Sequence, residues 1–233
     1  MTLKKNRIDK LLVETGLASS LKEAQALVMS GQVLANDVPV DKSGALISVE
    51  AELRLKGEPK RFVSRGGEKL AHALELFECD VKNKLALDVG ASTGGFTDCL
   101  LQNGAQQVFA LDVGYGQLAE KLRQDKRVFV FDRTHIKDLK LTDLPAKVDF
   151  VTIDVSFITC ASILKFIPQF LRPQATVIIL VKPQFELPAN MLAKGGIVQD
   201  ETAQLQAVDK VLAAGKLLSW QLVGTSKSPI KGA

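Results

Sequence analysis

The spacing of apolar residues changes along the chain, and the change divides it into two parts. In residues 7–31 apolar side chains recur three and four positions apart in two short stripes, and a glycine closes each stripe. Residues 32–40 and 45–55 instead alternate apolar and polar side chains, as short half-buried strands do. This part of the chain is therefore predicted to form two helices and a few short strands, a small α+β block.

From residue 84 onwards, apolar runs of strand length alternate with segments of helical periodicity. The predicted strands are residues 84–89, 107–112, 127–131, 148–154, 174–182 and 217–223. The predicted helices lie near residues 96–103, 116–124, 160–171 and 199–215. Alternation of strand and helix is typical of a parallel sheet covered by helices, so the fold class predicted for this part is α/β.

Residues 56–68 separate the two parts. Pro59, Gly66 and Gly67 break regular structure, and the basic residues around them keep the segment in water. A helical pattern resumes at Lys69. The sequence therefore predicts a first domain over residues 1–58, a linker over 59–68 and a second domain over 69–233.

Composition places the chain among globular proteins. Of 233 residues, 46% are hydrophobic and 24% are charged. No apolar run approaches the ~20 residues of a membrane span, and the first residues lack the apolar core of a secretory signal. Cys79, Cys99 and Cys160 are expected to be buried thiols, and no histidine lies near them at ligand spacing, so no metal site is expected. These features favour a cytoplasmic protein.

Charge is distributed unevenly along the chain. The net charge is +4, and residues 1–70 hold 12 Lys/Arg against 9 Asp/Glu, whereas the remainder holds 18 against 17. An excess of positive charge ahead of residue 70 is a weak indication that this part binds nucleic acid.

The segment from Asp88 to Phe96 joins a predicted strand to a predicted helix through a tight glycine turn. A nicotinamide dinucleotide site would need Gly-x-Gly-x-x-Gly, but Ser92 occupies the second glycine position. Carboxylates at two strand ends, Asp88 and Asp112, suit a ligand with a cationic group and ribose hydroxyls but no phosphate, such as S-adenosylmethionine. A strand–helix turn without any ligand is the alternative at this point.

Three more charged residues follow predicted strands, namely Asp132, Asp154 and Lys182. Because the carboxyl ends of parallel strands meet at one edge of a sheet, we expect all three on the same ligand-binding rim. A lysine that closes so apolar a strand is unusual, since lysine is rarely buried without a partner. The alternative is a surface lysine whose stem lies along the protein and whose charge reaches water.

The first part of the chain resembles the small RNA-binding fold named after ribosomal protein S-four, also called the alpha-L motif. The resemblance rests on Arg7-Ile-Asp-Lys-Leu-Leu12, Gly16, Ser19/Ser20, Ala24, Gly31, Val33 and Asn36. It implies that basic side chains follow an RNA backbone, and the candidates are Lys4, Lys5, Arg7, Lys10 and Lys22. Without the resemblance, solvated helix charges would be the simpler interpretation.

Five longer motifs resemble the hemolysin-A-like (TlyA) family, whose members join that RNA-binding fold to an FtsJ-like methyltransferase domain. The motifs are Ser64–Leu70, Asp88–Thr97, Leu111–Leu118, Ile153–Phe157 and Leu180–Glu186. The resemblance implies a Rossmann-like sheet, S-adenosylmethionine as methyl donor, and 2′-O-methylation of cytidine ribose in the ribosomal RNA of ribosomal subunits. The residues expected to bind the donor are Asp88, Gly90, Ser92, Thr93, Gly94, Gly95, Phe96, Asp112, Asp132 and Asp154.

The family also implies a Lys-Asp-Lys-Glu tetrad, and Lys69, Asp154 and Lys182 match its first three members. A ribose hydroxyl loses its proton as it takes the methyl group. A lysine can accept that proton only if its pKa falls from ~10.4 toward neutral through burial or a nearby cation. Lys182 is expected to be this base, Lys69 the nearby cation, and Asp154 the carboxylate that orients Lys182 and faces the sulfonium. Lys69 and Arg65 are also expected to grip the RNA, and no metal is needed.

The fourth member of the tetrad lies, in the family, on a strand that follows the segment matching Ser228–Gly232. The sequence stops at Ala233. The closing strand of the sheet and its Glu are therefore expected to be missing, and the chain in this form is expected to be weakly active or inactive.

Two other functions stay open from the sequence. The same folds could hold ribosomal RNA without catalysis, or the protein could act on membranes, as the hemolysin name suggests, although no helix has one wide apolar face and one basic face. Asp154 and Lys182 would serve no purpose in a pure binding protein and so favour the enzyme. Methylation of a base would need an Asn/Asp-Pro-Pro-Tyr-like or cysteine-based site, and the sequence has neither.

Overall fold

The computed structural model describes residues 5–56, 61–188, 191–192, 198 and 200–230. Lys4, one of the residues predicted to bind RNA, lies outside the described residues. Contacts divide the chain into two compact units, residues 1–60 and 61–230. Domain boundaries at residues 58 and 69 stay a prediction.

The first unit contains the two helices and the short strands that its apolar spacing predicts. Helix α1 spans Ile8–Glu14 and α2 spans Leu21–Met29, and the strands are β1 (Lys5–Arg7), β2 (Val33–Ala35), β3 (Val38–Pro39), β4 (Leu46–Ser48) and β5 (Leu53–Leu55). β3, β2 and β5 form an antiparallel sheet, and β1 pairs with β4. Asn36 and Asp37 both adopt positive φ, 49° and 67°, which a two-residue hairpin turn requires.

The second unit begins with helix α3 (Gly66–Leu76) and continues as strands and helices in alternation. The strands are β6 (Leu85–Val89), β7 (Gln107–Leu111), β8 (Val128–Phe131), β9 (Val148–Ile153) and β10 (Leu171–Ile179). The helices after α3 are α4 (Gly95–Gln102), α5 (Glu120–Arg123), α6 (Cys160–Ile163), α7 (Pro183–Glu186) and α8 (Glu201–Leu217). Short 3-10 turns lie at Leu141–Asp143, Leu164–Phe166 and Pro168–Phe170.

These five strands form a parallel sheet in the order β10-β9-β6-β7-β8, which confirms the predicted α/β class. The central strand β6 is buried along its whole length because apolar side chains cover both faces of the sheet. One apolar cluster includes Leu70, Phe96 and Leu100, and the other includes Phe109, Ile153 and Phe170. With β6 and β9 adjacent, the residues that follow these strands meet at one edge.

The segment before α3 is fastened to the second unit rather than free. Phe62 is buried, and the backbone N–H of Val63 donates to Asp98 Oδ2 at 2.8 Å. Gln102 donates in turn to the carbonyl of Arg61 at 2.7 Å. Residues 61–63 of the predicted linker are thus tied to α4, and α3 begins at Gly66, inside that linker.

The prediction of a sixth strand over residues 217–223 is wrong. Helix α8 extends to Leu217, and Ser219 turns the chain with a φ of 60°. The residues that follow run beside α3 instead of joining the sheet: a Cβ on Gly224 would lie 2.7 Å from the Phe77 ring, and Ser226 Oγ lies 3.5 Å from His72 Nε2. Apolar alternation makes a strand only where a neighbouring strand offers hydrogen bonds, and among the described residues β10 pairs with β9 alone.

The predicted helix over residues 160–171 is also shorter than expected. Only Cys160–Ile163 is α-helical, and two 3-10 turns follow before β10 begins at Leu171. Pro168 starts the second turn, and a proline inside an α-helix would remove a hydrogen bond and clash with the preceding turn. β10 correspondingly starts and ends three residues earlier than predicted.

Candidate active site

The turn after β6 needs its glycines because other backbone approaches it closely. Gly90 has a φ of 88°, and a Cβ there would lie 2.5 Å from the carbonyl oxygen of Asp154. Gly94 has a φ of 99°, and a Cβ there would run into the side chains of Leu118 and Leu122. Ser92 adopts a φ of 48°, a left-handed conformation that glycine usually supplies. The turn is thus a tight cradle pressed against the end of β9.

Two carboxylates that were predicted to bind the methyl donor, Asp112 and Asp132, lie on the other side of this turn and bind its backbone and that of the next loop. Asp112 accepts hydrogen bonds from the backbone N–H groups of Ser92 and Gly114, both at 2.7 Å. Asp132 accepts from the N–H of Gly116 at 3.3 Å and forms a 2.5 Å ion pair with Arg123. Both carboxylates shape the loops around the turn and keep further lone pairs for a ligand.

Other predicted donor-binding residues lie inside the protein. Asp88 is completely buried and accepts hydrogen bonds from Thr97 Oγ1 at 2.7 Å and Thr152 Oγ1 at 2.8 Å. Burial raises the pKa of Asp88 to about 6, and the two threonine hydroxyls oppose that rise. Phe96 belongs to the apolar core. Asp88 can therefore act on a bound cation through its charge, whereas Thr93 and Ser92 are exposed on the turn.

Asp154 and Lys182, at the ends of adjacent strands, form an ion pair with 2.7 Å between Asp154 Oδ1 and Lys182 Nζ. The same ammonium donates to Ser156 Oγ at 2.8 Å. Asp154 Oδ1 is buried, yet among the described residues it accepts no well-aligned hydrogen bond. The ion pair thus balances the charge of the carboxylate and leaves lone pairs unfilled. This oxygen can still interact with another cation or donor.

Lys69 reaches the same place from the first turn of α3. Gly95 makes this possible, because a Cβ there would lie 2.8 Å from the backbone nitrogen of Gly67 and keep the two helix starts apart. Burial lowers the pKa of Lys69, the charges of Lys182 and Arg65 lower it further, and Asp154 opposes them. Lys182 therefore pairs directly with Asp154, and Lys69 lies near enough for the charges of both residues to act on it.

Two aromatic residues beside this cluster were not singled out from the sequence. Phe157 is 92% exposed and has a φ of 65°, a conformation that is rare for a bulky side chain. Its ring packs against Phe185 with 5.2 Å between centroids. Both residues lie inside sequence motifs, but an apolar residue in such a motif is ordinarily expected in the core, so the sequence carries no signal of exposure.

Comparison with known proteins places this geometry in a family. The sequence profile of FtsJ-like methyltransferases matches residues 62–233, well over half of the chain. The chain belongs to the FtsJ-like methyltransferase family. A second profile, that of the S4 domain, matches residues 6–53. Both resemblances noted in the sequence are thereby confirmed.

Individual relatives cover nearly the whole chain. It is 45% identical over 233 residues to the Bacillus subtilis protein named "Putative rRNA methyltransferase YqxC", covering 100% of this chain and 83% of that one. It is 40% identical over 227 residues to the 16S/23S rRNA (cytidine-2'-O)-methyltransferase TlyA of Mycobacterium tuberculosis, covering 97% and 85%. The solved structure "Putative hemolysin from Streptococcus thermophilus" superposes with a TM-score of 0.75 at 39% identity, covering 99% and 85%.

The methyl donor of an FtsJ-like methyltransferase is S-adenosylmethionine, and the turn after β6 fits it. The cradle at Gly90 and Gly94 has no room for a Cβ. The buried side-chain oxygen Oδ1 of Asp154 lacks a well-aligned hydrogen-bond donor, which suits the positive sulfur. Asp112 follows the second strand, where ribose hydroxyls are usually bound. The glycine turn and the carboxylates around it therefore match a cationic nucleoside without phosphate.

In the S4 domain of this methyltransferase, the described basic residues predicted to bind RNA reach solvent: Lys5, Arg7, Lys10 and Lys22 are all exposed. Arg7 is held by Asp9 through two hydrogen bonds of 3.1 and 2.6 Å. Asp9 is itself buried, and it also accepts from Gln25 and from the backbone of Lys10. Arg7 is therefore presented in a fixed direction.

The described part of the chain lacks two kinds of feature. No helix there is long and apolar enough to cross a bilayer. No group of three or more His, Cys, Asp and Glu side chains there is arranged to hold a metal ion.

Proposed function

We propose that the chain transfers the methyl group of S-adenosylmethionine to the 2′-hydroxyl of a cytidine ribose in ribosomal RNA. The observation that carries this proposal is the cluster of Lys69, Asp154 and Lys182 at the mouth of the donor cradle. The name of the TlyA relative, a 16S/23S rRNA (cytidine-2'-O)-methyltransferase, supports the same reaction.

Ribosomal RNA within ribosomal subunits is the proposed partner, and the cytoplasm is accordingly the proposed location. Residues 1–58, which include the S4 match, hold the RNA through exposed basic side chains. Residues 69–233 carry the chemistry, and residues 59–68 join the two. Phosphate contacts from lysine and arginine give affinity with little sequence preference, so the S4 domain supplies attachment and the second unit supplies the choice of nucleotide.

When bound, the donor supplies a methyl group on a positively charged sulfur. The remaining work is to bring the ribose hydroxyl into line and to remove its proton. Lys182 accepts that proton, Asp154 and Ser156 fix the direction of its side chain, and Lys69 supplies a second positive charge near the site.

Lys69 is the alternative proton acceptor, because its own pKa is lowered by burial. The two assignments differ in what each variant removes. If Lys182 is the acceptor, Lys69→Met keeps measurable transfer at high pH, whereas Lys182→Met does not. The reverse pattern would reassign the proton to Lys69.

Phe157 and Phe185 provide a surface for a nucleobase next to the cluster. An exposed ring in a strained backbone conformation is held in place by its surroundings, and bases of single-stranded RNA stack on such rings. A base stacked on Phe157 would place its ribose close to Lys182.

The proposal is tested by incubating the chain with separate small and large ribosomal subunits and donor carrying a labelled methyl group. Nuclease digestion and mass spectrometry should then find 2′-O-methylcytidine at a discrete position, and Asp154→Asn should abolish it. Because the chain in this form is expected to transfer slowly, it is used in excess over the subunits. Label in a base would contradict ribose methylation, and no label in RNA at any chain concentration, while the same chain binds subunits, would identify an RNA-binding protein without catalysis.

A further inference from the structure

Two loops meet at the catalytic cluster, and they contact each other at three levels of depth, from the exposed rim of the site to the protein interior. The first loop follows β9 and runs from Asp154 through Ser156 and Phe157 to Cys160. The second follows β10 and includes Lys182 and the short helix α7, which carries Phe185. Lys182 contacts Asp154 and Ser156 at the rim, and the two phenylalanine rings pack next to them. A third level, made by Glu186, lies deeper.

Glu186 ends helix α7, and its carboxylate is completely buried. Its Oε1 accepts the backbone N–H of Cys160 at 2.5 Å, and its Oε2 accepts the hydroxyl of Thr159. Lys210 of α8 donates to the backbone carbonyl of Glu186 at 2.5 Å and lies 3.8 Å from Oε2. Both side-chain hydrogen bonds therefore end on the loop that carries Asp154.

The three levels differ in how firmly they can hold the loops. Lys182 and Asp154 are each about one-fifth exposed, and Phe157 is almost fully exposed, so water competes at both outer levels. At Glu186 water does not compete. Separating the loops there would leave a buried carboxylate, a hydroxyl and an N–H group without partners, which is strongly unfavourable.

We propose that Glu186 is a positioning residue whose buried carboxylate ties the Lys182 loop to the Asp154 loop and so sets the separation of these two charges. The inference rests on the proposed methyl transfer. Glu186 has no exposed side-chain surface and cannot touch substrate, so it acts through Lys182 and does not stand in for the closing glutamate of the family tetrad.

The kinetic test uses Glu186→Gln, which keeps the shape of the side chain but can no longer accept two hydrogen bonds on charged oxygens. Because misplacement of reacting groups by about 1 Å can cost ~10²-fold in rate, we expect kcat for methyl transfer to fall about 10- to 100-fold. KM for RNA and the donor Kd should stay within about twofold, since neither the S4 domain nor the glycine cradle is altered.

Partner variants show whether the effect passes through Thr159. Thr159→Val should lower kcat, Thr159→Ser should restore it, and Thr159→Val combined with Glu186→Gln should be no slower than Glu186→Gln alone. Glu201→Gln, the same chemical change in an exposed pair with Lys227, is the matched control and should leave kcat unchanged. Independent, multiplying effects of Thr159→Val and Glu186→Gln would overturn the proposal, and so would an unchanged kcat or a loss of donor affinity equal to the loss of rate.

Hydrogen exchange of the full chain gives a readout that does not depend on activity. In Glu186→Gln the amides of residues 155–160 and 184–187 should lose protection together, while those of residues 90–95 keep theirs. Loss of protection in only one loop, or across the whole second unit, would contradict the tie between the loops. If the wild-type chain transfers no methyl group to RNA, the proposed function fails, but coupled exchange would still establish the tie.

Discussion

Asp9 in the S4 domain and Asp154 in the methyltransferase unit both pair with basic side chains, but the two carboxylates are satisfied to different degrees. Asp9 accepts hydrogen bonds from both nitrogens of the Arg7 fork, from Gln25 and from the Lys10 backbone. The hydrogen bonds from Arg7 hold the pKa of Asp9 at about 2, against the effect of burial. Asp154 pairs with Lys182, interacts through its charge with Lys69, and has a buried oxygen without a well-aligned hydrogen-bond donor.

The arrangements around Asp9 and Asp154 suit different tasks. A carboxylate with all its lone pairs used holds its cation in one place and one protonation state, which is what a phosphate-binding arginine needs. Near Asp154, burial and the charge of Lys182 lower the pKa of Lys69, and such a weakened hold on a proton favours its removal from a hydroxyl. Substitutions can break one arrangement and leave the other intact.

The largest effect is expected from Lys182→Ala. General-base catalysis typically contributes about 10²- to 10⁴-fold, so the single-turnover rate of methyl transfer should fall by that factor while donor affinity, measured by calorimetry, changes little. Lys147→Ala, an exposed lysine just before β9, should leave the rate unchanged. If donor affinity disappears together with the rate, Lys182 is structural and not the base.

Gly90→Ala should weaken binding of the methyl donor and leave the removal of the proton unaffected. The added Cβ would lie 2.5 Å from the Asp154 carbonyl at a φ of 88°, so the cradle and the end of β9 must separate. Donor Kd should rise by about 10²-fold, equivalent to about 3 kcal/mol. Gly104→Ala is the matched control, since Gly104 has a φ of 87° but no neighbour closer than 3.4 Å to the added Cβ. Equal losses in the two variants would attribute the effect to φ alone.

Arg7→Gln should weaken attachment to RNA without changing the chemistry. Losing one phosphate contact should reduce affinity up to about tenfold and lower the slope of log K against log salt by about 0.7–0.9. Filter binding to ribosomal RNA at several salt concentrations measures both, with Lys42→Gln as an exposed control in the same unit. An unchanged salt slope would remove Arg7 from the proposed RNA surface.

The smallest expected effect concerns Asp88 and pH. Its pKa is raised to about 6 in the folded chain by burial, so between pH 4 and 6 the folded state keeps a proton that the unfolded state has lost. The Asp88 contribution should therefore reduce stability as pH rises through that window, with a slope of at most about 1.4 kcal/mol per pH unit. Melting temperatures of the wild type and Asp88→Asn should diverge over this range. Parallel curves would contradict the raised pKa.

The sequence predicts the parts of the site that depend on strand ends. Parallel strands bring their carboxyl ends to one edge, so Asp154 and Lys182 could be placed together, and the glycine turn could be placed beside them. The remaining features of the site could not be predicted, because they depend on contacts between residues far apart in the sequence. The hydroxyls of Thr97 and Thr152 enclose Asp88, Thr159 binds Glu186, and the segment after α8 packs on α3 although it alternates like a strand. Phe157 is exposed on a backbone with a positive φ, and a phenylalanine in the sequence does not indicate such a conformation.

The pH dependence of single-turnover methyl transfer tests most directly whether the cluster of Lys69, Asp154 and Lys182 removes the proton of the ribose hydroxyl. The rate of the wild type should rise with pH in proportion to the loss of one proton and then level off. In Lys69→Met a rise with pH should remain, whereas in Lys182→Met it should disappear because the proton acceptor is gone. A wild-type rate that is independent of pH, or a rise that persists in Lys182→Met, would contradict the assignment of Lys182 as the base.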